Sequence, residues 1–265
     1  VPIKGRVLVV AGSDSGGGAG IQADIKTVMA LGGFATTAVT AVTAQDTLGV
    51  HGVFSIPPAF IQLQMRRVLD DIGADAFKTG MLADIPTVDA VAEVIGAYRQ
   101  IPFVLDPVMV AKGGHPLIAA DAMDCLKARL LPLAAVITPN APEAESLAGI
   151  TVETVDDQFR AAEILLRLGA QAVLLKGGHL DAAEITDVLA TPEGVQVFTA
   201  PRRLTRHTHG TGCTLGSAIA TGLAQGMGLG DAVRRAHAYV QATLASAPGF
   251  GAGHGPLDHG AAWRP

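Results

Sequence analysis

Three short apolar runs in this chain stop on side chains able to handle phosphate and metal. Leu105-Asp106-Pro107 ends one run on a carboxylate. Ile137-Thr138-Pro139-Asn140-Ala141-Pro142-Glu143 ends the next on an amide and an acid, with a helix expected to begin near Pro142. Leu174-Leu175-Lys176-Gly177-Gly178 ends the third on an amine. If the runs are strands of a parallel sheet, their carboxyl ends share one face, where such sheets bind ligands. Asp106, Asn140, Glu143 and Lys176 then meet in one crevice. Two acids suit Mg²⁺ held partly through water, and a lysine neutralises phosphate. Singly, each residue has an ordinary explanation, since Asp-Pro starts turns and Pro-Glu suits a first helical turn. Turn chemistry explains less well why all three runs end in functional groups.

Two glycine-rich segments add backbone donors. His209-Gly210-Thr211-Gly212-Cys213-Thr214-Leu215-Gly216 opens a predicted helix. Small residues there let successive N–H groups converge with the helix N-terminus into an anion hole, which suits a migrating phosphoryl group. Cys213 sits where the helix terminus is expected to lower its thiol pKa, so that it could take a proton from a substrate hydroxyl. The competing reading is a small buried cysteine that only packs. Ala11-Gly12-Ser13-Asp14-Ser15-Gly16-Gly17-Gly18-Ala19-Gly20 follows the first strand and reads as a loop whose amides meet a small ligand. It contains Gly16-x-Gly18 but lacks the full dinucleotide fingerprint. Asp24 follows near the start of the first helix, where the dipole alone would favour an acid. His207 and His209 lack further Cys or His partners at metal-site spacing and read as loop structure.

The elements that must position these groups alternate along the chain. Apolar runs at 7–10, 103–105, 134–138 and 172–176 read as strands buried on both faces. Helical patterns lie at 20–31, 58–72, 86–99, 119–131, 156–168, 213–226 and 230–245. The alternation implies right-handed βαβ units, an α/β fold with a mainly parallel sheet and helices on both sides. The half-polar β-prone stretch 33–56 reads as a strand pair that partly covers a site at the sheet edge. Ile185 to Ala190 is expected to pair with Val195 to Thr199 across Pro192-Glu193-Gly194. Without repeats or a linker, residues 1–265 read as one domain.

Composition bounds the function. The chain has 265 residues, 49% hydrophobic and 16% charged, enough for a large core and unlike a disordered segment. A formal charge of −5 without a basic stripe argues against nucleic acid as the main partner. Cys125 and Cys213 are the two cysteines, which excludes a disulfide framework and a structural zinc site of the usual spacing. The opening Val1 to Arg6 leads directly into a strand-like run too short for a signal peptide or membrane span, so a cytoplasmic enzyme is expected. The 32 glycines gather at Gly12 to Gly20, Gly113-Gly114, Gly177-Gly178, Gly210 to Gly216 and Gly249 to Gly255, as if backbone must approach a ligand.

Taken in order, the segments AGSDSGGGAGIQADIKT from Ala11, VTAQDTLGVHGV from Val42, DIGADAFKTGML from Asp71, DPVMVAKGG from Asp106, TPNAPEAE from Thr138, LLKGGH from Leu174, THGTGCTLGSAIA from Thr208 and GHGPLDH from Gly253 resemble the ribokinase-like hydroxymethylpyrimidine and phosphomethylpyrimidine kinases. The resemblance runs nearly end to end. It implies a ribokinase-like three-layer α/β/α sandwich with a mainly parallel central sheet, a homodimer, and use of ATP and Mg²⁺. It implies transfer of the γ-phosphoryl of ATP to 4-amino-5-hydroxymethyl-2-methylpyrimidine and then to its monophosphate, in thiamine synthesis. By the same likeness Gln45 contacts the aminopyrimidine with Asp24 nearby. Val42, Met81 and Val108 wall the ring, and Gly12 contributes backbone. Gly210, Thr211, Gly212 and Cys213 match the anion hole, Asp106 and Glu143 the Mg²⁺ acids, and Lys176, with Thr208, the phosphate contacts. Asn140 joins the nucleotide side. Cys213 stands where sugar kinases of this fold usually carry a basic Asp. Two departures stand out. Gly216 takes a position where a small polar residue is expected, which would loosen the helix start by ~1 kcal/mol relative to Ala. Asp46 stands where Asn is also common.

The nearest rival is a pyridoxal kinase of the same fold, since pyridoxal also offers a hydroxymethyl on a flat ring; Gln45 and Met81 favour the pyrimidine. A non-catalytic pyrimidine-binding regulator would not need the metal and phosphate residues. A thiol hydrolase would need Cys213 paired with His207 or His209 and an orienting acid.

Overall fold

A computed structural model of the chain describes residues 4–111, 114–119, 121–180 and 184–261. Val1 to Ile3, Gly113 of one glycine cluster and residue 120 of the expected 119–131 helix lie outside the described residues. The strands are β1 (Arg6–Asp14), β2 (Phe34–Gln45), β3 (Val50–Ser55), β4 (Ala76–Thr79), β5 (Phe103–Leu105), β6 (Val136–Ile137), β7 (Val173–Leu175), β8 (Glu184–Thr191) and β9 (Gly194–Pro201). The helices are α1 (Gly20–Ala30), α2 (Pro58–Asp71), α3 (Ile85–Ala97), α4 (Ala122–Arg129), α5 (Ala141–Ala148), α6 (Val155–Arg167), α7 (Thr211–Ala224) and α8 (Leu229–Ala245).

The strands form one nine-stranded sheet in the order β3-β2-β1-β4-β5-β6-β7-β8-β9. From β2 to β7 every pairing is parallel, and β3, β8 and β9 join antiparallel at the two edges. Central-strand residues alternate between two cores, as the period of two requires. Leu8, Val10, Phe77, Phe103, Leu105, Ile137, Val173 and Leu175 pack with residues of α2 to α6. Val7, Val9, Ala11, Ala76, Val104, Val136 and Leu174 face the other way, toward residues of α1, α7 and α8. The result is the three-layer α/β/α sandwich the sequence implied. Truncating a fully buried member such as Phe77 to Ala would remove about 3–5 kcal/mol.

Several boundaries differ from the sequence reading. β1 continues to Asp14, so Gly12 and Ser13 are strand residues, with a register shift between Ala11 and Ser13. β4, absent from the sequence expectation, is a four-residue strand fully buried between β1 and β5. β6 and β7 are shorter than the runs at 134–138 and 172–176, and Asn140 and Lys176 pair beyond them as an isolated bridge. α4 stops at Arg129 and a 3₁₀ turn, Leu131–Leu133, follows; Pro132 has no N–H to continue the ladder. α7 begins at Thr211, two residues earlier than expected.

Candidate active site

The carboxyl ends of β1, β2 and β4 to β7 open onto a cavity of about 610 Å³. Gly12, Gln45, Met81, Val108, Asp106, Asn140, Glu143, Lys176, Thr208 and Gly210 to Cys213 all line it. Thirteen chain positions, from Gly12 to Cys213, are thus collected at one edge of the sheet, because parallel strands put all their C-termini on the same side.

The anion hole is built by backbone. Gly210 sits before α7 at φ 85°, and a Cβ there would collide with the Gly18 carbonyl oxygen, so only glycine fits. The helices α3, α5 and α6 are capped by the side chains of Asp84, Asn140 and Thr154, whereas α7 has no side-chain cap. Its first-turn amides are among those an α-helix leaves unpaired internally. A Cβ placed on Gly212 would lie 3.3 Å from Lys176 Nζ and 3.9 Å from Asp106 Oδ2. The anion hole therefore adjoins the charged group directly.

That group is tightly packed. Asp106 is 2% exposed, and its Oδ1 accepts from Thr138 Oγ1 at 3.2 Å and Lys176 Nζ at 3.3 Å. Lys176 Nζ also stands 3.8 Å from Glu143 Oε2. Burial works against the Lys176 ammonium, but Asp106 and Glu143 outweigh it and raise its pKa. Burial raises the Glu143 carboxyl to about 7 in spite of Lys176. Asn140 and Glu143 also form the capping box of α5: Asn140 Oδ1 accepts from the Glu143 amide at 2.9 Å, and Glu143 Oε2 from the Asn140 amide at 2.8 Å. The structural explanation and the site coexist in the same side chains.

Cys213 lines the cavity, but its thiol is corrected in sign. Burial pushes it up to about 12, with Asp24 and Asp106 acting the same way and Lys78 and the Gly20 amide against. The helix terminus does not produce the thiolate expected from sequence, so at neutral pH the sulfur carries its proton.

Two substrate-side expectations are also corrected. Val42 is 47% exposed and pairs with Phe54 of β3; Ala41 is buried and Thr43 lines the cavity, so alternation turns Val42 to the opposite face. Asp24 has no exposure and does not line the cavity. Its Oδ1 accepts from Lys78 Nζ at 2.9 Å and Ser217 Oγ at 2.7 Å, tying α1 to β4 and α7.

Gln45 is held in place by residues the sequence reading gave no such role. His209 Nε2 lies 2.9 Å from Asp14 Oδ2 and 3.3 Å from the Gln45 side-chain amide. A carboxylate only accepts, so that Nε2 carries a proton and is best met by the Gln45 oxygen, leaving the NH₂ for Thr43 and the cavity. Asp14 also accepts from the amides of Gly16, Gly18 and Ala19. Burial opposes its ionisation, but His209 and these amides hold its pKa below the ordinary value. The glycine segment is thus wrapped around a carboxylate rather than left as an open loop. The one sequence signal for this was an acid inside the glycine cluster.

The residues fit Mg²⁺. Asp106 Oδ2 is buried without a hydrogen-bond partner, and the donors are carboxylate oxygens. No cluster of three or more His, Cys, Asp or Glu suited to a metal occurs among the described residues.

Comparison with known proteins agrees with this geometry. The family model described as phosphomethylpyrimidine kinase matches residues 14–258. A "Thiamine biosynthesis bifunctional protein" of Geobacter sulfurreducens is 51% identical over 97% of the chain, which spans 52% of that longer protein. A "Hydroxymethylpyrimidine/phosphomethylpyrimidine kinase" of Streptomyces coelicolor is 48% identical over 96% of this chain and 94% of its own. Among solved structures, an ADP complex of Bacillus subtilis pyridoxal kinase superposes with a TM-score of 0.91 at 37% identity, covering 97% of this chain and 98% of that one.

Proposed function

The chain belongs to the phosphomethylpyrimidine kinase family, and from that premise we propose that it phosphorylates 4-amino-5-hydroxymethyl-2-methylpyrimidine and then its monophosphate with ATP, in thiamine synthesis. The observation that carries this reading is the adjacency of Asp106, Lys176 and Gly212 at the head of an uncapped helix, in the same cavity as Gln45 and Met81.

Gln45 presents its amide to the aminopyrimidine edge, Met81 and Val108 flank the ring, and Gly12 allows close backbone approach. Lys176 neutralises the transferred phosphoryl group, with Asn140 and Thr208 on the nucleotide side. The Gly210 to Cys213 amides take up the charge of the transition state. Asp106 and Glu143 would hold Mg²⁺, in part through water, and the ion would neutralise phosphate charge. A loose phosphoryl-transfer transition state needs positioning and electrostatics more than a base. A protonated Cys213 is compatible with that, and its part is to shape the anion hole.

The same reading includes a cytoplasmic enzyme organised as one domain, with no helix among the described residues long and apolar enough to cross a membrane. It also includes a homodimer, for which the exposed cross-strand pair Val42 and Phe54 on the β2–β3 edge offers an apolar face. The second reading is a pyridoxal kinase of the same fold, or dual activity; the superposition on a pyridoxal kinase speaks to the shared fold alone.

The test is ADP released per pyrimidine consumed, with ATP and Mg²⁺, beside pyridoxal. Two ADP per pyrimidine with little pyridoxal turnover is the expected result. One ADP removes the second step. Rapid turnover of pyridoxal alone moves the assignment to the second reading.

A further inference from the structure

Directly behind the anion hole lies an ion pair that the proposed reaction does not use. Lys78 and Asp24 are both without exposure, and neither lines the cavity. Lys78 is on β4, facing α1 and α7, the same side as Ala76 two residues earlier. Its Nζ donates to Asp24 Oδ1 at 2.9 Å and stands 4.0 Å from Asp106 Oδ2, the carboxylate oxygen without a hydrogen-bond partner. Ser217 of α7 donates to the same Asp24 oxygen. Charges therefore alternate through the protein in one row: Asp24, Lys78, Asp106, Lys176, Glu143.

We propose that Lys78 is a positioning residue for phosphoryl transfer, fixing the Asp106 carboxylate and the first turns of α7 from behind the cavity. The surroundings are cut to fit it. A Cβ on Gly80 would lie 3.3 Å from Lys78 Nζ, and one on Gly216 would lie 3.3 Å from Lys78 Cε and 3.7 Å from Asp106 Cβ. Gly216 thus lets α7 sit down on the lysine, which gives that departure from the family pattern a local reason. Stability alone does not call for such a pair, because buried ion pairs are commonly replaced by apolar residues at no loss, whereas removing one partner strands a buried charge. What apolar replacements cannot supply is a fixed positive charge facing Asp106 Oδ2. Burial opposes the Lys78 ammonium, but Asp24 and Asp106 keep it charged. The inference rests on the kinase reading for the role of Asp106.

The test compares Lys78→Met, Asp24→Leu and the double variant with the native chain. Melting temperature, kcat and KM for the pyrimidine, and the calorimetric affinity for ADP with Mg²⁺ are measured. Each single variant is expected to melt lower, and the double variant to recover the native melting temperature, since no charge is left stranded. In the double variant kcat should remain down about 100-fold and ADP–Mg²⁺ binding about 10-fold, with KM for the pyrimidine changed less than about threefold. A double variant that recovers melting temperature together with kcat and ADP–Mg²⁺ affinity overturns the proposal. So does a double variant that cannot fold, because the pair is then a structural requirement. If the native chain does not turn over the pyrimidine, the kinase reading fails, while the ADP–Mg²⁺ arm still reports on Lys78.

Discussion

Acidification should weaken the grip of the C-terminal segment on α7, and His259 is the group that should report it. Thr214, in the first turn of α7 next to Cys213, is hydrogen-bonded to His259 Nε2 at 2.9 Å. The His259 carbonyl accepts from Tyr239 OH at 2.8 Å. Burial, and next Lys26, lower the His259 pKa from 6.5 to about 4, with Asp258 pulling the other way. A neutral imidazole whose Nε2 accepts the Thr214 hydroxyl satisfies both groups; protonation forces that hydroxyl to turn and accept, and puts a charge where it is buried beside Lys26. The folded pKa lies below the unfolded one, so between the two values the unfolded chain binds more protons. The contribution is complete above the unfolded value and is lost as pH falls from 6.5 toward 4, about 3 kcal/mol in all. That is a large part of the roughly 5–15 kcal/mol that holds most domains together. Urea denaturation from about pH 7.5 to about pH 4, on the native chain and on His259→Leu, measures it. The variant loses a hydrogen bond at neutral pH, about 1 kcal/mol, but its stability should fall less on acidification. The gap between the two proteins should move by about 3 kcal/mol in favour of the variant. Two curves that run parallel across this range would refute the reasoning, because other titrating groups are common to both.

Three further outcomes follow from the site. Gly210→Ala places a Cβ against the Gly18 carbonyl oxygen at a left-handed backbone position, so steady-state assays should show kcat down more than about 100-fold, with about 1–2 kcal/mol of backbone strain added. Cys213→Ser should keep kcat within about tenfold of native, and because the native thiol titrates near 12, the native pH–rate profile should lack a thiol inflection between about pH 6 and pH 9. His209→Phe frees the Gln45 amide, so KM for the pyrimidine should rise about tenfold, the equivalent of one hydrogen bond, with KM for ATP unchanged.

Local rules made much of this protein legible before any tertiary structure. The apolar runs that became β1, β5, β6 and β7, and the amphipathic spacing of α6 and α8, follow from period and burial alone. So does the convergence of Asp106, Asn140, Glu143 and Lys176, because parallel strands fix the side on which their ends emerge. The Gly210 to Cys213 segment was legible as an anion hole of small residues, but the left-handed backbone that makes Gly210 obligatory came only from the fold. The strand β4 was not legible: Ala76-Phe77-Lys78-Thr79 is short and holds a lysine, and only Asp24 on α1 and Asp106 at the end of β5 supply the carboxylates that let that lysine be buried. For the same reason sequence could not tell Asp24 in the cavity from Asp24 behind it. The two places differ by which partner the folded chain brings within 2.9 Å. Val42 turned on strand register, where one residue of shift exchanges the faces. The thiol of Cys213 turned on the balance of a helix terminus against burial and two nearby carboxylates. The sequence determined which groups were present and which edge of the sheet they share. Only tertiary packing decided which charges are buried together, because desolvation and ion pairing depend on neighbours distant in the chain.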